Sequence, residues 1–286
     1  MIGGRGISEN PPSPNQKSHP LFHKMWIRRG SMSRKPRKES RTKIYHLVNR
    51  GLEKRPIFGE NRERSRMINI IRKYYKEYQI NFYAYCIMPN HFHLLVQGEL
   101  EVLALFMAVI SARYALYYNY KHQRSGYVFQ DRYRSQCVED ESYFWNCVRY
   151  IHLNPLKAGL ASDLVSYPYG SMKEYCTIYA EEDQILCAES YAKIKEEFET
   201  GQNFMEFHGK RCRDIFIDEK ADEFEQKIEV AMMLLEDYAA QKEIPLQEAL
   251  DYAELRKSYE QEMKTLLKIS KGEAEKIQDV IKGRLQ

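Results

Sequence analysis

Between Lys43 and Pro155 the spacing of apolar residues switches between a period of two and a period of three to four, and each switch predicts an element. Ile44-Tyr45-His46-Leu47-Val48 predicts a strand closed by Asn49-Arg50-Gly51. From Glu60 to Tyr78, Met67, Ile70, Ile71, Tyr74 and Tyr78 fall at helical spacing with charges opposite them, which predicts an amphipathic helix. Ile80 to Met88, rich in Tyr, Phe and Ile, predicts a strand, Pro89-Asn90 a turn, and His91 to Gln97 the returning strand. Asn90-His91 is a weak hairpin signal, so it leaves the register of this pair loosely specified. Val102 to Tyr120 predicts a second helix, apolar at Leu105, Phe106, Val109, Ile110 and Tyr114. A loop from Lys121 to Gly126 and a basic-aromatic stretch from Tyr127 to Arg134 follow. A third helix, capped by Asp140 or Ser142, runs to about Leu153 and ends at Asn154-Pro155.

The order strand, helix, strand, strand, helix, strand, helix predicts an α+β fold: a ferredoxin-like or RRM-like antiparallel sheet with helices packed on it. After about Tyr179 the composition changes to long acidic segments that predict an α-helical C-terminal appendage, clearest over Glu223 to Lys242 and Leu246 to Leu267. Tyr259 to Ile281 reads as helix, short turn, helix, either a degenerate helix-turn-helix or a plain helical appendage. Residues 1–31 carry Pro, Gly, Ser and Asn without hydrophobic period and are expected to be a disordered extension. The expected organisation is therefore 1–31 extension, 32–178 α+β domain and 179–286 helical region.

Composition changes this picture in two ways. The net charge of +4 over 286 residues is modest, but Arg28, Arg29, Arg34, Lys35, Arg37, Lys38, Arg41 and Lys43 crowd the front, and the stretch after Glu181 is acidic. That asymmetry predicts a polyanion site in the first part only. The six cysteines form no C-x-x-C pair, and no signal-peptide h-region or long apolar run is evident, which predicts a reduced, soluble, cytoplasmic protein with no membrane partner.

The chemistry lies in two short patterns. A strand alternates its side chains, so His91 and His93 point to one face. A helix brings residues four apart onto one stripe, so Tyr150 and Asn154 point the same way. Two imidazoles and an amide can hold a divalent cation, and a phenol beside a cation can attack a phosphate. Tyr143 is the rival nucleophile, but no ligand follows it four residues later. Arg132, Arg134, Arg149 and Lys157 are suited to phosphate and are expected to bind DNA. Two other readings compete. In an RNA-binding RRM-like sheet Phe82 and Tyr83 would be stacking platforms, and His91, His93, Tyr150 and Asn154 would be idle. A metal-stabilised structural protein would need a closed four-ligand set that is missing from the sequence.

Tyr85 to Val96 resembles the His-hydrophobe-His motif of the single-tyrosine transposases of insertion sequences. Ser125 to Ser135 resembles that group's middle motif, and Val148 to Leu160 its nucleophile helix. Asn rather than Gln four residues after the tyrosine points to the REP-associated branch, and Tyr167-Pro168-Tyr169-Gly170-Ser171 serves as a terminal signature. The resemblance implies Tyr150 as nucleophile, and His91, His93 and Asn154 as ligands of a divalent metal, Mg2+ or Mn2+. It also implies an endonuclease and strand transferase acting on single-stranded DNA with hairpins, located at the nucleoid, with a homodimer as one working form. A domesticated relative, binding hairpin nucleic acid in a regulatory role, is the alternative within the same family.

Overall fold

The first part of the chain is built on a four-stranded sheet whose two faces are used differently. In the computed structural model, residues 36–176, 184–210, 214, 216 and 220–285 are described. The expectations for residues 1–31, for a domain start at Met32 and for a boundary at 178/179 lie outside the described residues. β1 (Ile44–Arg50), α1 (Asn61–Tyr74), β2 (Asn81–Ile87), β3 (His91–Gln97), α2 (Leu100–Lys121) and β4 (Arg134–Cys137) follow in order. The sheet order is β2-β3-β1-β4 and every neighbouring pair is antiparallel. This is the ferredoxin-like βαββαβ arrangement, and the protein is an α+β fold.

The strand alternation assigns the faces. Tyr45, Leu47, Phe82, Tyr85, Phe92, Leu94 and Val96 share one side and pack with Met67, Ile70, Ile71 and Tyr74 of α1 and Leu103, Phe106, Ile110 and Tyr114 of α2. His46, Val48 and Arg50 of β1, His91, His93 and Leu95 of β3, Cys86 of β2, and Arg134 and Gln136 of β4 share the other side. Burial removes the RRM-like option, since Phe82 and Tyr83 are both enclosed and offer no stacking face.

Several boundaries moved for identifiable reasons. α1 starts with a capping box between Glu60 and Glu63, and its last turn closes at Gln79 in the left-handed region (φ 51°), with the Ile80 N–H donating to the Tyr75 carbonyl. α2 is, by length and composition, apolar enough to cross a bilayer, which corrects the expectation of no long apolar run. One side of it belongs to the core just described, while Leu105, Leu116 and Tyr120 are exposed. The middle stretch is not a regular strand. Its Val128 carbonyl and Gln130 N–H bond Leu52 and Arg50, and the strand proper begins only at Arg134.

α3 (Glu141–Lys157) is capped by Asp140, whose side chain accepts the Tyr143 N–H at 2.8 Å. It passes through Pro155 and ends at Gly159 (φ 66°), where the Gly159 N–H donates to Leu156 and the Leu160 N–H to Pro155. Pro155 sits in the last turn, so its missing N–H costs one bond and does not stop the helix. The segment Tyr167 to Ser171 then covers the outer edge of β2. Ile87 donates to the Tyr169 carbonyl, Tyr167 donates its hydroxyl to the Ile87 carbonyl at 2.7 Å, and Ser171 Oγ accepts the Tyr85 N–H at 2.9 Å. Next come α4 (Ser171–Cys176), α5 (Ala188–Phe198) and α6 (Gly201–His208).

By contacts the chain divides into two units, one reaching to Glu139 and including Ile151–Glu196, the other made of Asp140–Tyr150 and Glu197–Gln286. The second holds α7 (Lys220–Lys242), α8 (Ala253–Leu267) and α9 (Lys271–Leu285) around Ile228, Leu235, Leu250, Tyr259, Met263 and Ile277. The single helix expected over Leu246 to Leu267 is interrupted: a 3-10 turn at Leu246–Glu248 follows Pro245, and α8 starts only at Ala253. α8 and α9 are joined through Lys268, which takes the left-handed conformation (φ 52°), so the helix, turn, helix form read from Tyr259 to Ile281 is present.

Candidate active site

The histidine pair is set by the hairpin that precedes it. The Met88 N–H donates to the His91 carbonyl at 2.8 Å across a two-residue Pro89-Asn90 loop. That loop is pinned from outside, because Gly51 donates to the Asn90 carbonyl and Phe58 to the Pro89 carbonyl, each at 2.8 Å. Gly51 makes this approach because a Cβ there would stand 2.5 Å from the Arg55 carbonyl oxygen. The weak turn sequence is thus compensated by long-range backbone bonds, and the register follows.

His91 and His93 lie on one strand face with ring centroids 4.7 Å apart. His91 Nδ1 is 2.6 Å from Asn90 Oδ1, an acceptor, so Nδ1 carries the proton and the lone pair is on Nε2. His93 Nδ1 is 3.0 Å from Nε2 of His46, whose ring stacks on it at 5.2 Å. Both second partners fix ring orientation as outer-shell groups do around a metal. Burial, then the charges of His91, His46 and Arg50, push His93 well below the ordinary imidazole range, and burial lowers His46 to about 4. Neutral imidazole, the metal-ligating form, is therefore favoured at pH 7. Two imidazoles so held fit a divalent cation. Among the described residues no three His, Cys, Asp or Glu side chains form a metal cluster, so such an ion would draw further donors from an amide, water or phosphate.

His46, Asn90 and Arg50 were not singled out from the sequence. Strand parity was the available signal for two of them: Arg50 stands directly opposite His91, and His46 is two positions along the same face from Val48, the partner of His93.

Asn154 lies on α3, four residues beyond Tyr150. The neighbouring Ile151, His152 and Pro155 line a narrow crevice with Tyr85 and Cys86, and Cys86 is the cross-strand partner of His93. His152 Nε2 lies 2.8 Å from Ser171 Oγ, which ties this part of the helix to the segment along β2. Within its own unit, Tyr150 stacks on Phe216 at 4.5 Å and receives a 3.4 Å bond from Gln226 Nε2. Gln226 is itself anchored to the Phe216 backbone, accepting from its N–H and donating to its carbonyl, both at 2.6 Å. Tyr143 also packs on the Phe216 ring, at 5.3 Å.

The expected cations divide. Arg132, Arg134 and Lys157 are exposed, and Arg134 shares the sheet face of His93. Arg149 is a correction: it is 3% exposed, donates to the carbonyls of Lys210 (2.9 Å) and Phe207 (3.4 Å) and to Asn146 Oδ1 (2.8 Å), and holds protein rather than phosphate. Parts of the basic front are likewise engaged. Arg37 lies 3.8 Å over the Tyr133 ring, Arg41 pairs with Glu139 at 3.4 Å, and Lys43 pairs with Glu99. Phe129 packs among Phe58, Phe92 and Tyr114, so of the middle aromatics Tyr127 is the exposed one.

The same stretch of chain is similar to known proteins. Residues 40–154 match the family described as "Transposase IS200 like". A Haemophilus influenzae protein described as a REP-associated tyrosine transposase is 28% identical, over 36% of this chain and 68% of that relative. A REP-associated tyrosine transposase solved bound to a REP hairpin aligns at 16% identity with a TM-score of 0.43, covering 54% of this chain and 91% of that one. Residues 40–154, which carry the sheet, the histidine pair, Tyr150 and Asn154, are thus similar to the IS200-like transposases, and the sequence relative is described as a REP-associated one.

Proposed function

We propose that this chain is a metal-dependent endonuclease and strand transferase that cuts single-stranded, hairpin-flanked DNA through a covalent phosphotyrosine. The observation that carries the reading is the braced pair His91 and His93 within a segment of IS200-like transposase sequence. Tyr150 is the nucleophile, and His91, His93 and Asn154 hold Mg2+ or Mn2+. When bound, the ion offsets phosphate charge and polarises the phosphoryl oxygen. The Tyr150 phenolic oxygen forms a bond to phosphorus as the bond to the departing 3'-oxygen breaks, and that oxygen leaves as a 3'-hydroxyl. A 3'-hydroxyl can reverse the step, which makes strand transfer and cleavage one chemistry. Arg134, with Arg132 and Lys157, neutralises the strand's flanking phosphates. One tyrosine gives one covalent end, so complete excision takes two subunits or two successive reactions.

The experiment is incubation of the full chain with a labelled single-stranded hairpin oligonucleotide and Mn2+, followed by a denaturing gel. A protein-linked label that EDTA prevents is expected. Tight hairpin binding with no adduct under any divalent ion would favour the regulatory, non-transposing alternative instead.

A further inference from the structure

The helical side of the first unit carries a groove that the transposase reading does not use. It lies between α1 and α2, with a cavity volume of about 480 Å3, and its walls include Arg66, Lys73, Arg113, Tyr74, Tyr117 and Tyr120. No acidic side chain is among the described residues that line it. On α1 the cations recur at helical spacing, Arg62 preceding the stripe of Arg66, Asn69 and Lys73, and Lys76 follows in the turn just past the helix, all of them exposed. Aromatic faces alternate with these charges: Arg66 lies 5.4 Å over the Tyr117 ring and Lys73 5.4 Å over Tyr74. Tyr120 is 88% exposed at the rim, and the Tyr117 hydroxyl, enclosed, makes no hydrogen bond among the described residues. Both helices pack on the sheet face opposite the histidines, so this groove is separate from the His91 and His93 side.

We propose that this groove is a second nucleic-acid site, which holds an unpaired DNA segment by phosphate contacts to Arg66, Lys73 and Arg113 and by base stacking on Tyr120. Cations interleaved with aromatic rings, one of them, Tyr120, exposed, and no acid among the described residues that line the groove match the alternation of phosphate and base along a single strand. A helix face needed only for solubility would carry both signs of charge. Exposed Tyr120 and Leu116 cost solubility unless something covers them, and a base supplies a flat apolar partner. The site would hold strand that lies away from the cleavage point, so that binding and cutting have separate determinants. The choice of DNA as occupant rests on the transposase reading.

The test is fluorescence anisotropy of a labelled 15-nucleotide oligo-dT with the full chain in EDTA, across a salt series. The double variant Arg66→Ala, Lys73→Ala is expected to bind about tenfold more weakly near 0.1 M salt, with the slope of log K against log salt smaller by roughly 1.4, about 0.7 per lost contact. Tyr120→Ser, at a position too exposed to disturb folding, should lose about fivefold or more while keeping the wild-type slope. Wild-type affinity and slope in these variants would overturn the proposal, as would a wild-type chain that fails to bind oligo-dT. So would sedimentation showing that the same variants break a dimer, since a second copy would then be the occupant. If the groove variants bind normally and the hairpin adduct still forms, only this inference falls. If the groove variants lose binding and no adduct forms with any chain, the inference stands and the catalytic reading falls.

Discussion

Tyr150→Phe separates the proposed chemistry from structure because the side chain's packing and the oxygen proposed to react are different parts of it. The ring stacks on Phe216 with centroids 4.5 Å apart and planes 20° apart, and phenylalanine keeps that contact. The substitution removes the hydroxyl, and with it the 3.4 Å bond from Gln226, which is long for a hydrogen bond. Gln226 retains its two 2.6 Å bonds to the Phe216 backbone, so no amide is stranded. The stability cost should therefore be about 1 kcal/mol or less, a shift in Tm of roughly 2–4 °C for a chain of this size class. The covalent adduct should vanish altogether, because no other oxygen replaces the phenol. Tyr143→Phe, on the same Phe216 ring, is the control and should keep adduct formation. Urea denaturation, thermal melts and adduct gels on the three proteins make the comparison. Adduct formation by Tyr150→Phe and its loss in Tyr143→Phe would refute the assignment. A cost above about 3 kcal/mol for Tyr150→Phe would refute the account of its packing.

Replacing either His91 or His93 by Ala should abolish cleavage at ordinary Mn2+ concentrations, checked by adduct gels over a metal titration. Asn154→Ala should be milder and recover at high metal, since water can take an amide's place. Arg149→Ala should destabilise the chain by about 2–4 kcal/mol in urea melts through its lost carbonyl contacts, while leaving the salt dependence of DNA binding unchanged. Glu63 supplies a pH test. Burial pushes its carboxyl up, but Lys121, the Glu60 N–H and His122 outweigh this and hold it below the ordinary carboxylate range. Its stabilisation is thus present above the unfolded carboxylate pKa and lost as pH falls through the lower folded value. Glu63→Gln should cost about 1–3 kcal/mol at pH 7, with the gap to wild type closing below about pH 4. A gap that is unchanged at pH 3 would refute it.

Much of this was readable from spacing alone. Period-two runs placed β3 at His91–Gln97 and the face shared by its two histidines, because strand parity is a local property. Helical spacing found α2 and the body of α1 for the same reason. What escaped depends on partners distant in the chain. His46 is legible only once β1 is known to pair with β3, and Asn90 only once the hairpin loop is known to be pinned by Gly51 and Phe58. Arg149 has the charge of a phosphate ligand, and only its burial against the Phe207 and Lys210 carbonyls reveals its task. The Pro155 stop failed because a proline signal carries no information about Gly159, four residues on, which forms the real terminus.

The bond between His46 and His93 spans 47 residues of sequence, and it has a consequence during synthesis. His91 and His93 leave the ribosome together, yet the imidazole that orients the second of them is joined to it only when β1 closes on β3. The Tyr167 to Ser171 clamp on β2 comes later still, about 80 residues after the strand it covers. At about 5–20 residues per second, that interval lasts roughly 4–16 seconds. A nascent chain therefore carries both histidines well before it carries the braced pair, and the edge of β2 stays uncovered until the segment beyond α3 has been made.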